Sequence, residues 1–240
     1  MTRRLGAVLF DLDDTLHDDT FAYRDAAEEV AREIAVERSI DAIALTAAYV
    51  AEAEGFWHRL SPDALEETME GVRRRLWGNA LDRVGIADSG LALRSAERYH
   101  DYRKKRYVPF PQTAAVLAAE RGRGRRLGLV TNGFSETHRE KIELLRLGEF
   151  FDAIFIADEV GMVKPDPLLF AHACRTLETA PANAAMVGDR YDRDMSGALE
   201  AGLATIWLNV RNEPLPTGVR QPDAECSTIE EAGRILQAYP

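Results

Sequence analysis

From residue 109 onward, short apolar runs alternate with stretches whose apolar residues recur at helical spacing. Residues 126–130 form an apolar run that ends at Thr131, and residues 184–187 form another that ends at Gly188-Asp189. Residues 151–156 and 204–208 read as further strands. Between them, residues 113–120, 136–147, 168–177 and 194–201 are predicted helices, with Gly148 placed to stop the second. Ser227-Thr228-Ile229-Glu230 predicts a capping box ahead of a final helix. Near the start, residues 5–10 give one more apolar run, read as the first strand.

Residues 17–108 break this alternation. They hold almost no strand-like run, and residues 21–36, 40–53, 62–84 and 92–107 carry apolar residues at helical spacing. Ser61-Pro62 supplies a helix start, and Val108-Pro109-Phe110-Pro111 marks a return to the alternating pattern. The expected fold class is α/β: a Rossmann-like three-layer core with a parallel sheet, plus an inserted all-helical cap domain. The core is expected to comprise residues 1–16 and 109–240, and the cap residues 17–108. No internal repeat or low-complexity segment is visible.

Composition narrows the function. Across 240 residues, 40 acidic side chains outnumber 30 basic ones, for a net charge of -10. That balance argues against nucleic acid and anionic membrane surfaces as partners. No run approaches the ~20 apolar residues of a membrane span. The opening MTRRLGAVLFDLDD ends in acid and has no small-residue cleavage site, so it reads as a strand and not a signal peptide. Cys174 and Cys226 form no CxxC and read as free thiols, which suits a cytoplasmic protein.

The chemistry gathers at predicted strand ends, where open parallel sheets place their sites. The first strand ends in FDLDDTL, with Asp11, Asp13 and Asp14 crowded together. The second ends in Thr131-Asn132-Gly133, a later one in GDRYDRD with Asp189 and Asp194, and Lys164 lies between in VKPDP. Crowded carboxylates tolerate one another around a divalent cation, and an oxygen-only donor set suits Mg²⁺. A hydroxyl, a backbone N–H and an ammonium suit phosphoryl oxygens. One carboxylate could attack phosphorus, and one two residues on could handle the proton. An EF-hand is rejected, because the sixth and twelfth positions counted from Asp11 are Leu16 and Ala22 and not Gly and Glu.

In this order, FDLDDTL, VTNG, VKPDP and VGDRYDRD resemble the four motifs of the haloacid dehalogenase superfamily, phosphatase branch, with a helical cap after the first strand. The resemblance implies a Mg²⁺-dependent phosphomonoester hydrolase working through an aspartyl-phosphate on a small phosphorylated metabolite. It implies Asp11 as nucleophile and metal ligand, and Asp13 as general acid/base with its carbonyl on the metal. Thr131 and the Asn132 backbone would hold phosphoryl oxygens, Lys164 would pair with nucleophile and phosphate, Asp189 would be a direct metal ligand, and Asp194 would orient Lys164 or a metal-bound water. Asp14 fills a variable position. Asp13 separates this branch from the dehalogenases, which lack it.

The stretch from Val130 to Pro167 is most similar to phosphatases of nucleoside monophosphates or N-acylneuraminate 9-phosphate, with phosphoglycolate phosphatases near. A phosphomutase of the same fold and a catalytically silent binding or regulatory protein are the alternatives. In the cap, Tyr23, Arg24, Trp57, His58, Arg59, Arg73 and Trp77 are candidate substrate contacts, although Trp57 and Trp77 read as core. Arg73-Arg74-Arg75 and the run from Tyr102 to Tyr107 read as solvated faces. The five histidines show no metal-ligand spacing. Monomer and homodimer both remain open.

Overall fold

A computed structural model describes residues 4–240; residues 1–3, counted above with the core, lie outside the described residues. Two compact units emerge. One runs to Asp18 and resumes at Val108–Pro240, and the other is Asp19–Tyr107. The crossings differ slightly from the expected 16/17 and 108/109. His17 bridges both Asp13 and Pro109, and Phe110 donates its N–H to the Leu16 carbonyl at 2.9 Å, so residues 17 and 18 still belong to the first unit.

In chain order, the first unit opens with β1 (Ala7–Phe10), and the helical unit follows with α1 (Asp19–Arg38), α2 (Ala42–His58), α3 (Met69–Arg83) and α4 (Ser89–Lys104). The predicted helix over 62–84 is interrupted. A 3₁₀ turn, Pro62–Glu66, is followed by extended backbone, and the Thr68 hydroxyl then caps α3 by accepting from Gly71 N at 3.2 Å. The unit is held by aromatic packing: Trp77 stacks on Tyr49 with centroids 4.2 Å apart, and Tyr99 lies 4.9 Å from Tyr49. Trp77 is fully buried, whereas Trp57 is half-buried against Phe56.

Two expected solvated faces are not solvated throughout. Arg73 is buried, and Arg103 is buried with both its bonds to Asp19, at 2.7 and 2.8 Å; Arg106 pairs with Asp25. A guanidinium keeps its charge when buried and needs a carboxylate fork, which Asp19 supplies. Arg74 and Arg75 are exposed as read.

The first unit continues through α5 (Thr113–Gly122), β2 (Arg126–Thr131), α6 (Ser135–Leu144), β3 (Ala153–Ile156), α7 (Ala157–Val160), α8 (Pro167–Thr176), β4 (Ala184–Gly188), α9 (Ser196–Ala201), β5 (Ala204–Leu208), β6 (Ala224–Cys226) and α10 (Ile229–Gln237). All strands pair in parallel in the order β3-β2-β1-β4-β5-β6. Both faces are covered, which is why β1, β4 and β5 are buried along their whole length. Leu9, Met186, Val130 and Trp207 pack with α8 and α9 residues on one face. On the other side, α5 packs against β2 and α10 against β5 and β6.

Several boundaries shift for local reasons. Helix α6 stops at Leu144, because Arg146 adopts a left-handed φ of 55°, and Gly148 starts a 3₁₀ turn instead of ending the helix. The predicted helix from 194 is preceded by a π-turn, Tyr191–Met195. The last cap is shifted by one residue: Thr228 accepts from Glu231 N at 3.2 Å, while the Glu231 carboxylate accepts from Ser227 N at 2.8 Å. Strand β6 was not foreseen; Ala-Glu-Cys is too short to show a pattern.

Removing the aromatic centre of the helical unit should be costly. Trp77→Ala is expected to lower stability by about 3–5 kcal/mol in urea unfolding, and a loss under ~1 kcal/mol would contradict the packing described.

Candidate active site

The strand order reverses beside β1, between β1 and β4, and the parallel register puts the ends of these strands level. Phe10 pairs with Val187 and with Leu129, and Asp11 N extends the ladder by donating to the Val187 carbonyl at 3.0 Å. Asp11, Thr131 and Asp189 therefore leave neighbouring strands at one edge of the sheet. All three are buried, as are Lys164 and Asp194.

Lys164 sits at the centre of this group. Its Nζ donates to Asp11 Oδ1 and to Asp194 Oδ1, each at 2.6 Å. Its main chain is clamped by the Asn132 side chain, which accepts from Lys164 N at 2.8 Å and donates to the Lys164 carbonyl at 3.0 Å. Asn132 was singled out for its backbone, and its amide has this bracing role as well. Burial works against the Lys164 ammonium, but Asp11 and Asp194 push its pKa above the ordinary value. The Thr15 hydroxyl reaches Asp11 Oδ2 only at 3.5 Å.

Asp189 and Asp194 are fixed by their surroundings. Trp207 Nε1 donates to the Asp189 carbonyl at 2.8 Å, and Arg190 N donates to Asp194 Oδ2 at 2.9 Å. Gly188 makes room for this, since a Cβ there would lie 2.5 Å from the Asp194 carboxylate. Arg211, beyond β5, donates to Asp189 Oδ2 at 2.6 Å and to Asp14 Oδ2 at 3.3 Å. That arginine was not foreseen, because nothing in VRNEP marks it as facing a strand end.

Asp11, Asp189 and Asp194 each offer an oxygen within 4.8 Å of the others. Burial raises the Asp189 carboxyl well above its usual range, with Asp194, Asp11 and Asp14 adding to the rise against Arg211. When ionised, this buried, oxygen-only set carries more negative charge than Lys164 and Arg211 balance, so it fits a hard divalent ion that keeps some of its waters.

The Asp13 side chain stands apart from that cluster. Lys141 Nζ donates to Asp13 Oδ1 at 2.6 Å, His17 Nε2 lies 2.9 Å from the same oxygen, and His138 Nε2 lies 3.6 Å from Oδ2. The His138 Nδ1 faces the Phe134 carbonyl at 3.1 Å, which aims Nε2 at Asp13. Gly133 is required beside it, since a Cβ would come within 1.9 Å of the imidazole. Burial alone would raise the Asp13 carboxyl, but Lys141, together with the nearby His138 and His17 imidazoles, holds it well below the usual carboxylate range. Asp13 is thus ionised at rest, in the form that accepts a proton. None of these three partners was anticipated. His138 and Lys141 stand three residues apart on one face of α6, and His17 follows Asp13 by four, but the histidines were screened only for metal spacing.

Of the expected cap contacts, Arg59 lines a cavity of about 280 Å³ within the helical unit, with Glu52, Phe56, Arg75, Leu76 and Asn79. Tyr23 and Arg24 both bond Glu54.

Burial pushes the Asp11 carboxyl up, Lys164 pulls it back, and Asp194 and Asp13 add to the rise; the result moves from 3.8 to about 7. Between those values the native state keeps a proton that the unfolded chain has released. The metal-free protein should therefore lose stability as pH rises through that window. Asp11→Asn removes the loss, so the melting temperature of wild type relative to the variant should fall as pH rises from about 4 to about 7. A pH-independent difference would contradict the buried-carboxylate account.

The model of the haloacid dehalogenase-like hydrolase family matches residues 5–202. The chain is 33% identical to a phosphoserine phosphatase of Thermus thermophilus, covering 97% of each chain. It is 30% identical to an N-acylneuraminate-9-phosphatase of Rattus norvegicus, covering 98% of this chain and 95% of the relative. A magnesium-bound HAD-hydrolase structure from Bacillus subtilis shares the fold with a TM-score of 0.75 at 24% identity, over 98% of this chain and 99% of that one. The chain belongs to the haloacid dehalogenase-like hydrolase family.

Proposed function

We propose that this chain is a Mg²⁺-dependent phosphatase that hydrolyses a small phosphorylated metabolite by way of an aspartyl-phosphate on Asp11. The observation that carries this reading is that Asp11 and Asp13 leave β1 with separate partners. Asp11 faces Lys164 and the carboxylate cluster, and Asp13 faces Lys141, His17 and His138. One is placed to attack and the other to manage protons. Displacement at carbon would give Asp13 no such task, which favours phosphoryl transfer over dehalogenation. The phosphatases among the relatives support the same reaction class.

In this reading an Asp11 carboxylate oxygen attacks phosphorus, and the bond from phosphorus to the leaving oxygen breaks. Asp13, having taken up a proton with substrate bound, gives it to that oxygen. Asp13 then takes a proton from water, the water oxygen attacks phosphorus, and the bond to Asp11 breaks, releasing phosphate. Thr131, the Asn132 backbone and Lys164 hold the phosphoryl oxygens. Asp11, the Asp13 carbonyl and Asp189 would hold Mg²⁺, which when bound offsets the charge of phosphate and carboxylates. Asp194 keeps Lys164 in place. We assign the helical insert, Asp19–Tyr107, the choice among leaving groups. The two buried cysteines, Cys174 and Cys226, form no disulfide, which supports a reducing, cytoplasmic setting. No described helix is long and apolar enough to cross a membrane.

Phosphate release from a panel of phosphomonoesters tests this reading. Asp11→Asn is expected to lower kcat by on the order of 10³-fold or more with the fold intact by circular dichroism. Near-wild-type turnover would refute the nucleophile. Stripping Mg²⁺ with a chelator should stop release and adding it back should restore it; unchanged rates would refute the metal role.

A further inference from the structure

The family motifs give Lys164 to Asp11, but they leave a second buried lysine unused. Lys141 is fully buried on α6, with its Nζ 2.6 Å from Asp13 Oδ1. Taking an ammonium out of water costs several kcal/mol unless it is paired, and here the partner is a side chain that keeps 29% of its surface exposed. The lysine is thus wholly enclosed while its carboxylate remains reachable from solvent. His17 Nε2 shares the same oxygen at 2.9 Å, while Oδ2 lies 3.6 Å from His138 Nε2, beyond hydrogen-bond length. Oδ1 is anchored and Oδ2 is the oxygen left for proton work.

We propose that Lys141 is the positioning residue of Asp13: it pins Oδ1, assisted by His17, so that Oδ2 faces the leaving oxygen. The inference rests on the reading of Asp13 as the proton-transfer group. Lys164 and Lys141 then divide the work, one lysine for each of the two aspartates of the first motif. Without Lys141, Oδ1 keeps the His17 contact but loses its cationic anchor, and the short Asp13 side chain is less restrained against rotation.

A misplaced proton donor has a chemical signature that a damaged fold lacks. 4-Nitrophenolate departs without protonation, whereas phenolate from phenyl phosphate needs it. The parameter to read is kcat/KM, which for this scheme reports steps up to the transfer of the phosphoryl group to Asp11 and excludes the later water step. For Lys141→Met, kcat/KM is expected to fall about 100-fold with phenyl phosphate, within the range for general acid catalysis, and about 5-fold or less with 4-nitrophenyl phosphate. Lys141→Arg, which can still donate to Oδ1, should recover most of the loss on phenyl phosphate. If Lys141→Met does not fold, Lys141→Gln is read by the same comparison. Equal losses on the two esters, or no loss on either, would overturn the positioning role alone. Wild-type protein inert toward both esters would instead take down the phosphatase reading, and this inference with it.

Discussion

The site depends on one buried interaction, the ammonium of Lys164 held between Asp11 and Asp194 at 2.6 Å each. Three carboxylates, two at the ends of β1 and β4 and one in the turn after β4, would repel one another in a medium that screens poorly. A single lysine bonded to two of them fixes their orientation and lowers that repulsion without removing it. The remaining negative charge is what suits the cluster to a divalent cation, which in the proposed reading offsets the charge of the phosphoryl group.

Much of the surrounding sequence serves that arrangement. Gly188 leaves β4 without a side chain where the Asp194 carboxylate must fit. Asn132 grips the main chain of Lys164 from the end of β2. Trp207 holds the Asp189 carbonyl from β5. Each support comes from a different strand end, so the parallel sheet is itself the device that brings distant motifs together. Asp13 is built into a second, adjacent network through α6 and His17, and this separation lets two neighbouring aspartates have different charge states and tasks.

The strands of the core were legible in the sequence because apolar runs buried on both faces have no competing pattern, as at 126–130 and 204–208. The motif residues Asp11, Thr131, Lys164 and Asp189 were legible because strand ends and acidic crowding are local signals. What was hidden was relational. Lys141 looks like any helical lysine until the fold places it against Asp13, and Arg211 until the loop after β5 brings it to Asp189. Arg103 looked solvated because its partner Asp19 is far away in the chain. Strand β6 and the shifted cap at Thr228 depend on pairing geometry that a few residues do not encode.

The central claim is that phosphorus is carried on Asp11. Acid quenching during turnover, followed by digestion and mass spectrometry, tests it most directly, because an acyl phosphate survives acid long enough to be located. The account predicts a phosphoryl adduct on the peptide containing Asp11, present only with substrate and Mg²⁺ and absent from Asp11→Asn. Steady turnover with no adduct under any quench condition, or an adduct on another residue, would contradict it.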